Sequence, residues 1–425
     1  MVKQELKQGY KQTEIGIIPE DWEVKRVIEF TNATAGGTPS TSVSSYWGGN
    51  IKWMSSGELS NKRIYNVEKR ITELGLANSS THLISKLCIL VGLAGQGKTR
   101  GTVAINFVEL CTNQSIGAIL PDKSYYSEYL FHNLDSRYAE LRRLSTGDGG
   151  RGGLNTTLLR NLKIPLPKNL KEQIAIATIL SDTDMLIKHL EKLITKKKNI
   201  KQGTMQQLLT GKKRLSGFSG EWEEKKLGEI GMVTGAGVDK KINSSEEWVR
   251  LLNYMDIYKR DYIYPNELHH KVTTVKRKLK TCSVQKGDLF LTPSSELRID
   301  IGISAIAMEN MEGVVYSYHI DRLRLTTEFD NLFSLYMLKT HSFLSQAETI
   351  CEGSGKRYVI SLGKFREMKV VFPKDTKEQA AIATILSDMD EDIKELEQKK
   401  DKYIMLKQGI MQELLTGRIR INVTN

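Results

Sequence analysis

The feature that most constrains this chain is a duplication. Residues 171–211 read KEQIAIATILSDTDMLIKHLEKLITKKKNIKQGTMQQLLTG and residues 377–417 read KEQAAIATILSDMDEDIKELEQKKDKYIMLKQGIMQELLTG, without a gap and with 26 of 41 positions identical. An internal repeat of this quality sets the architecture before any single element is assigned. Weaker matches extend it outward. RNLKIPLP at 160–167 answers REMKVVFP at 366–373, STGDGGRG at 145–152 answers CEGSGKRY at 351–358, and EDWEVKRVIEF at 20–30 answers GEWEEKKLGEI at 220–230. The order is variable segment, shared segment, variable segment, shared segment.

Each shared segment has helical periodicity. Ile187, Leu190, Ile194, Lys197, Lys201 and Leu208 in the first, and Ile393, Leu396, Lys400, Tyr403, Ile410 and Leu414 in the second, recur at spacings of about three and four residues. Ser181 and Ser387, each followed by Asp, read as caps that end a short helix and begin a long one, with Gly211 and Gly417 as stops. Two such seams are buried most simply against each other, which predicts an antiparallel coiled coil with pseudo-two-fold symmetry. A single charged helix of this kind is most simply a solvated strut. Polar positions repeated in both copies, Gln202, Gln206 and Thr210 against Gln408, Gln412 and Thr416, instead suggest a surface that docks the same partner twice.

The variable segments read as short strands punctuated by Gly, Pro and Ser, as in LCILVGLAG, GTVAINFV, KGDLFLTP and GISAIAM. Helices over 127–144 and 332–348 cover them, so each segment is a mixed α+β domain. The boundaries expected are 1–165 for the first domain, 170–211 for the first helical region, 215–373 for the second domain and 376–425 for the second helical region.

GLAGQGKT at Gly92–Thr99 satisfies the phosphate-loop pattern, and a nucleotide hydrolase built on it is the competing assignment. That pattern needs a helix at its lysine, whereas the residues from Arg100 onward continue as a strand; the second half has no Gly-Lys-Thr there. Gln96, Lys98, Thr99 and Arg100 are better suited to reach base edges and phosphates. The opposing loop offers Ser294, Ser295, Glu296 and Arg298. A second matched pair of loops places Arg151 in GDGGRGG and Lys356 with Arg357 in GSGKRY.

Composition agrees with a nucleic-acid partner without requiring one: the net charge is +12, and Lys and Arg release counterions from phosphates on binding. The hydrophobic fraction of 40% carries no membrane-length apolar run, and the polar N-terminus has no signal core, so a cytoplasmic location is expected. Cys88, Cys111, Cys282 and Cys351 form no CxxC pair and read as buried thiols; His269 and His270 read as surface residues. No catalytic or metal motif assembles, which points to a binding subunit rather than an enzyme.

GGTPS at 36–40, YWGGNIKWMSSGEL at 46–59, NQSIGAIL at 113–120, LKIPLP with the following KEQ at 162–173, and the two LLTG helix ends together resemble the specificity subunits of type I restriction-modification systems. The resemblance covers nearly the whole chain. The second domain departs from it, with GAGVDKK at 235–241 in place of GGTPS and YSYHI at 316–320 in place of NQSI. It implies two target-recognition domains that read a bipartite, asymmetric site on double-stranded DNA, and no enzymatic activity of the chain alone. It further implies two modification subunits carrying S-adenosylmethionine for adenine methylation, and restriction subunits using ATP with Mg. This chain itself would hold no cofactor.

Under that resemblance the helices would act as a ruler. A helix from Asp182 to Leu209 spans roughly 42 Å at 1.5 Å per residue, against about 34–36 Å for a turn of B-DNA. Inserting one heptad into this helix is expected to shift the preferred spacer between half-sites. An unchanged spacer in a binding assay would remove the ruler.

Overall fold

The computed structural model describes residues 8–95, 97–144 and 153–421. Contacts divide the chain into two units, residues 1–191 with 399–425, and residues 192–398. Each shared segment forms one unbroken helix of 39 residues, Leu170–Leu208 and Thr376–Leu414, about 58 Å long at ~1.5 Å per residue. Each long helix gives one part to each unit.

The two domains share one plan. In the first, a five-stranded mixed sheet runs in the order Ala33–Ala35, Ile116–Ile119, Ile89–Gly92, Val103–Asn106, Arg63–Ile64. In the second the order is Gly231–Thr234, Asp321–Leu325, Leu289–Leu291, Ser304–Ala307, Tyr262–Ile263. The central strands are the apolar runs expected from sequence, and they are buried throughout. A smaller sheet sits in each domain, built on Trp47–Met54 or Glu247–Leu252. A third pairing joins Trp22–Arg26 to Lys163–Pro167, and Trp222–Lys226 to Lys369–Pro373. One face of each large sheet packs on the long helices of its own unit. Leu414 and Leu415 join the core of the first, while Met205, Leu208, Ile382 and Leu386 join that of the second.

Several expectations change. Ser181 does not interrupt its helix. Its Oγ donates to the Glu128 carboxylate (2.7 Å) and lies 2.9 Å from His132 Nε2, while Arg63 donates to it at 2.8 Å. Burial, ahead of the nearby Lys407 and Arg63 charges, pushes the His132 imidazole down to about 3, so it is neutral there. Ser387 turns its hydroxyl back to the Thr384 carbonyl and leaves the second helix unbroken as well. The seam positions Lys197 and Lys201 are not apolar contacts but ion pairs, with Asp392 and Asp390. These two contacts ascend one helix as they descend the other, so the helices are antiparallel in the second unit. In the first unit, Lys407 pairs with Asp184, the positions equivalent to Lys201 and Asp390 in the repeat. The covering helices are each two. Ser127–Ser136 and Tyr138–Leu144 are separated at Arg137, which donates to the Lys163 carbonyl. Asn331–Leu338 and His341–Ile350 are separated by Thr340, which caps the second through Phe343 N–H. All four cysteines are free and buried, as expected, and His269 and His270 are exposed.

The repeated Lys-Glu-Gln has a structural explanation. Gln173 donates to the Pro167 carbonyl (2.8 Å) and accepts from Tyr126 N–H; Gln379 donates to the Pro373 carbonyl (2.8 Å) and accepts from Asp330 N–H. Glu172 and Glu378 are buried and receive paired hydrogen bonds from Arg420 and Arg214 respectively. Each guanidinium also lies over a tryptophan ring, Trp22 for Arg420 and Trp222 for Arg214. The tail after Leu414 thus takes the place that the linker after Leu208 takes in the other unit. Tyr10 reinforces it by donating to the Gly417 carbonyl.

Removing the cation from a buried carboxylate is strongly destabilising, and the partial exposure of both arginines reduces the figure to about 2–4 kcal/mol. Arg420→Ala is expected to speed amide hydrogen exchange in Trp22–Arg26 and leave Trp222–Lys226 unchanged. Arg214→Ala should do the reverse.

Candidate nucleic-acid interface

The expected reading loops lie at one end of each large sheet. In the first domain, strands Ile89–Gly92 and Val103–Asn106 pair antiparallel as a hairpin, closed by Gly101 N–H to the Gly92 carbonyl. Gly101 takes φ +79°, which a side chain there would resist. No helix follows Lys98, so the backbone donors of a phosphate cradle are not assembled around Gly92–Thr99. Lys98 is exposed, and its carbonyl accepts from Thr102 and Tyr138; Thr99 and Arg100 are half-buried. Gln96 and Arg151 lie outside the described residues.

Backbone bonds gather the separate motifs. Leu93 N–H donates to the Ser115 carbonyl of NQSI, and Leu154 N–H, just past the Arg151 loop, donates to the Leu93 carbonyl. Gly36 and Gly37 of GGTPS press on the same place, where Gly37 N–H reaches the Thr112 carbonyl. A Cβ on Gly36 would come within 2.1 Å of that carbonyl oxygen, so the glycine is required by close backbone approach. Trp53 and Trp47 fix the segment through indole bonds to the Gly37 and Ser40 carbonyls. Thr38 then donates to the side chain of the exposed Gln114.

The second domain repeats the frame with other side chains. Ile360 N–H donates to the Pro293 carbonyl as Leu154 does to Leu93, and Val238 N–H donates to the Tyr316 carbonyl. A Cβ on Gly237 would meet that carbonyl at 2.3 Å, the same demand made of Gly36. Ser294–Ser295, Arg357–Val359 and Glu352–Ser354 form a small sheet, with Arg357 donating to Ser294 Oγ at 3.0 Å. The exposed Arg298 lies 4.7 Å over the Tyr358 ring, and Lys356 is exposed at the hairpin turn. Ser294, Arg298, Lys356 and Arg357 therefore come together. Glu296 is exposed between them.

Residues not singled out from sequence also belong to this end. The Tyr318 and His319 rings lie against each other with centroids 3.8 Å apart and planes tilted by 36°, and burial, with the positive Lys240 and Arg357, lowers the His319 pKa. Gln114, Tyr318 and His319 occupy the motif positions NQSI and YSYHI, which was the available signal. The pairing of Lys240 with this group depends on loop geometry and left none. The expected docking residues Gln202 and Gln206, and Gln408 and Gln412, are exposed on the last turns of their helices. Gln408 and Gln412 border a groove of about 1020 Å³ in the first unit with Met411, Asn133 and Ser136. Gln202 and Gln206 border one of about 360 Å³ in the second with Met205 and Thr340. Among the described residues no group of three or more potential metal ligands occurs, and no helix is long and apolar enough to cross a membrane.

The family model described as type I restriction modification DNA specificity domain matches residues 19–202 and again 219–405. The chain is 34% identical over 196 residues to the specificity subunit of type I restriction enzyme MjaIX of Methanocaldococcus jannaschii, covering 45% of this chain and 44% of that one. It is 25% identical over 425 residues to the MjaVIII specificity subunit of the same organism, covering 96% and 95%. Its fold matches the crystal structure of a type I restriction-modification S subunit from M. genitalium, with a TM-score of 0.58, 16% identity and 99% of each chain covered.

One residue at this end of the second domain carries a pH signature. Asp321 stands where the first domain has Gly117, is 6% exposed, and has no ion pair among the described residues. Burial pushes its carboxyl up from 3.8 to about 7. The folded state thus holds a proton that the unfolded chain releases near pH 4. Stability is undiminished below that pH and is lost as pH climbs toward 7. Asp321→Asn is expected to stabilise the second unit by on the order of a few kcal/mol at about pH 8 and by little near pH 4. A gain of equal size at both pH values in thermal melts would show that burial of the charge is not the cause.

Proposed function

Given that the chain belongs to the family of type I restriction modification DNA specificity domains, we propose that it is the sequence-reading subunit of such a complex. It recognises a bipartite, asymmetric site on double-stranded DNA, one half per domain, and recruits two adenine-modifying methyltransferase subunits together with restriction subunits. The observation that carries this reading is a constant frame with exchanged side chains. The Leu154–Leu93 and Ile360–Pro293 bonds are the same, yet one domain presents Gln114 and Lys98 where the other presents Tyr318, His319 and Arg298. A protein that reads two different half-sites with one architecture needs this combination.

Lys98, Thr99, Arg100, Gln96 and Arg151 serve the first half-site, and Arg298, Lys356 and Arg357 the second. Gln202, Gln206, Gln408 and Gln412 dock the modification subunits, once for each copy of the repeat. The chain has no catalysis of its own. S-adenosylmethionine belongs to the modification subunits and ATP with Mg to the restriction subunits, all working in the cytoplasm.

Exchanging residues 215–373 for the equivalent segment of a relative is expected to change one half of the modified motif and leave the other intact, as read by mapping methylated adenines. A change in both halves, or an unbroken motif, would overturn the bipartite reading. Arg151→Ala and Arg357→Ala should each weaken duplex binding of the complex several-fold at low salt, with a loss that shrinks as salt rises.

A further inference from the structure

The smaller sheet of each domain contains an electrostatic conflict. Lys52, on strand Trp47–Met54, lies directly opposite Arg70 on the antiparallel strand Lys69–Ile71. Arg250, on strand Glu247–Leu252, lies directly opposite Lys271 on the antiparallel strand Lys271–Thr274. These are the same place in the two domains. Both strands lead into a capping box, Ser55 with Glu58 and Asn253 with Asp256, beginning three residues after the cation. Like charges directly across a ladder are destabilising, and here the arrangement occurs twice although the surrounding residues differ.

None of the four cations forms an ion pair among the described residues. The arginines are held by neutral acceptors: Arg70 donates to the Val67 and Lys69 carbonyls and to Asn66 Oδ1, and Arg250 to the Pro265 carbonyl. Each guanidinium is thus fixed in place with its charge uncompensated, and each partner lysine remains able to reorient. Beside the second pair lie the exposed Trp248 and Glu312, around a shallow depression of about 640 Å³; Glu312 forms no ion pair there.

The position relative to the reading loops is also repeated. In the first domain, Thr112 pairs with Met54, two residues along from Lys52, and Gln114 follows two residues after Thr112. In the second, Tyr316 pairs with Leu252, two residues along from Arg250, and Tyr318 follows two residues after Tyr316. Both cation pairs therefore stand at most about 13 Å along the sheet from the reading motif, at roughly 3.3 Å per residue.

We propose that Lys52 with Arg70, and Arg250 with Lys271, are phosphate clamps, each holding a backbone phosphate of the duplex whose bases are read by the neighbouring loops. This rests on the DNA-reading function above and adds to it a sequence-independent subsite in each domain. A single phosphodiester between the two side chains converts their repulsion into two attractions, and being the same on every nucleotide it fixes register without selecting a base.

The test uses the purified full chain, a duplex carrying its target and an unrelated mixed-sequence duplex, with binding followed by anisotropy across a salt series. Lys52→Gln and Lys271→Gln remove the two cations whose side chains make no hydrogen bond among the described residues, so the fold is left intact. Each is expected to lower the slope of log affinity against log salt by about 0.9 and the Lys52→Gln, Lys271→Gln double variant by about 1.8, with equal losses on both duplexes. Thermal melting of the DNA-free variants should stay the same or rise, because a repulsion has been removed. Unchanged slopes in the variants, with salt-dependent binding by the parent chain, would overturn the clamps and leave the DNA-reading function standing. A loss confined to the target duplex would likewise overturn them, by making these residues base readers. Failure of the parent chain to bind either duplex would defeat the DNA-reading function and the clamps with it.

Discussion

The arrangement rests on a buried carboxylate at the start of each long helix. Glu172 and Glu378 are nearly inaccessible, and a carboxylate in that position is tolerable only with a full set of donors. An arginine supplies them in each unit, and it comes from the segment just beyond the other copy of the repeat. One interaction thereby ties three things together: the first turn of a helix, the strand bearing the tryptophan, and the chain leaving the other helix. Its neighbour Gln173 or Gln379 does the same for the strand that precedes the helix. The identity of the two copies at Lys-Glu-Gln follows from this local accounting, before any partner is considered.

With the frame secured in this way, the loops at the far end of each sheet are released from structural duty. Their backbone bonds repeat between domains, so the loop paths are held, but their side chains do not. On the adjoining small sheets Lys52 faces Arg70 and Arg250 faces Lys271, with no ion pair to any of them among the described residues. In a chain of net charge +12 such facing cations repel each other, and an anion placed between them would relieve the repulsion.

Much of this could be seen in the residues alone. The repeat set the number of domains, the apolar runs marked the central strands, and the missing helix after Lys98 removed the phosphate loop. What failed did so for identifiable reasons. Ser181 resembles a helix cap because Ser-Asp commonly is one. Its hydroxyl is instead engaged by Glu128 and Arg63 from another part of the first unit, and nothing in the local sequence announces a tertiary contact. Lys201 falls on the helical seam, yet it is there to meet Asp390, a charge nearly two hundred residues away. The neighbourhood of His319, Lys240 and Arg357 escaped notice for the same reason: three loops meet there, and loop paths are set by bonds such as Ile360 to Pro293 that have no periodicity.

The two arginine staples are chemically alike but differently tethered. Arg214 sits in a linker anchored on both sides, between the end of a helix and the strand Trp222–Lys226. Arg420 follows its helix in a segment held by Tyr10 on the Gly417 and Arg418 carbonyls and by Ile421 against the first core, and it bonds Asp21 as well as Glu172. Arg214 turns its remaining donor to the Gly220 carbonyl instead, so only the first staple adds a second, more exposed carboxylate. The two staples will therefore answer acid unequally: protonating Asp21 strips Arg420 of one of its two anions, while the Arg214 staple has no such exposed partner to lose.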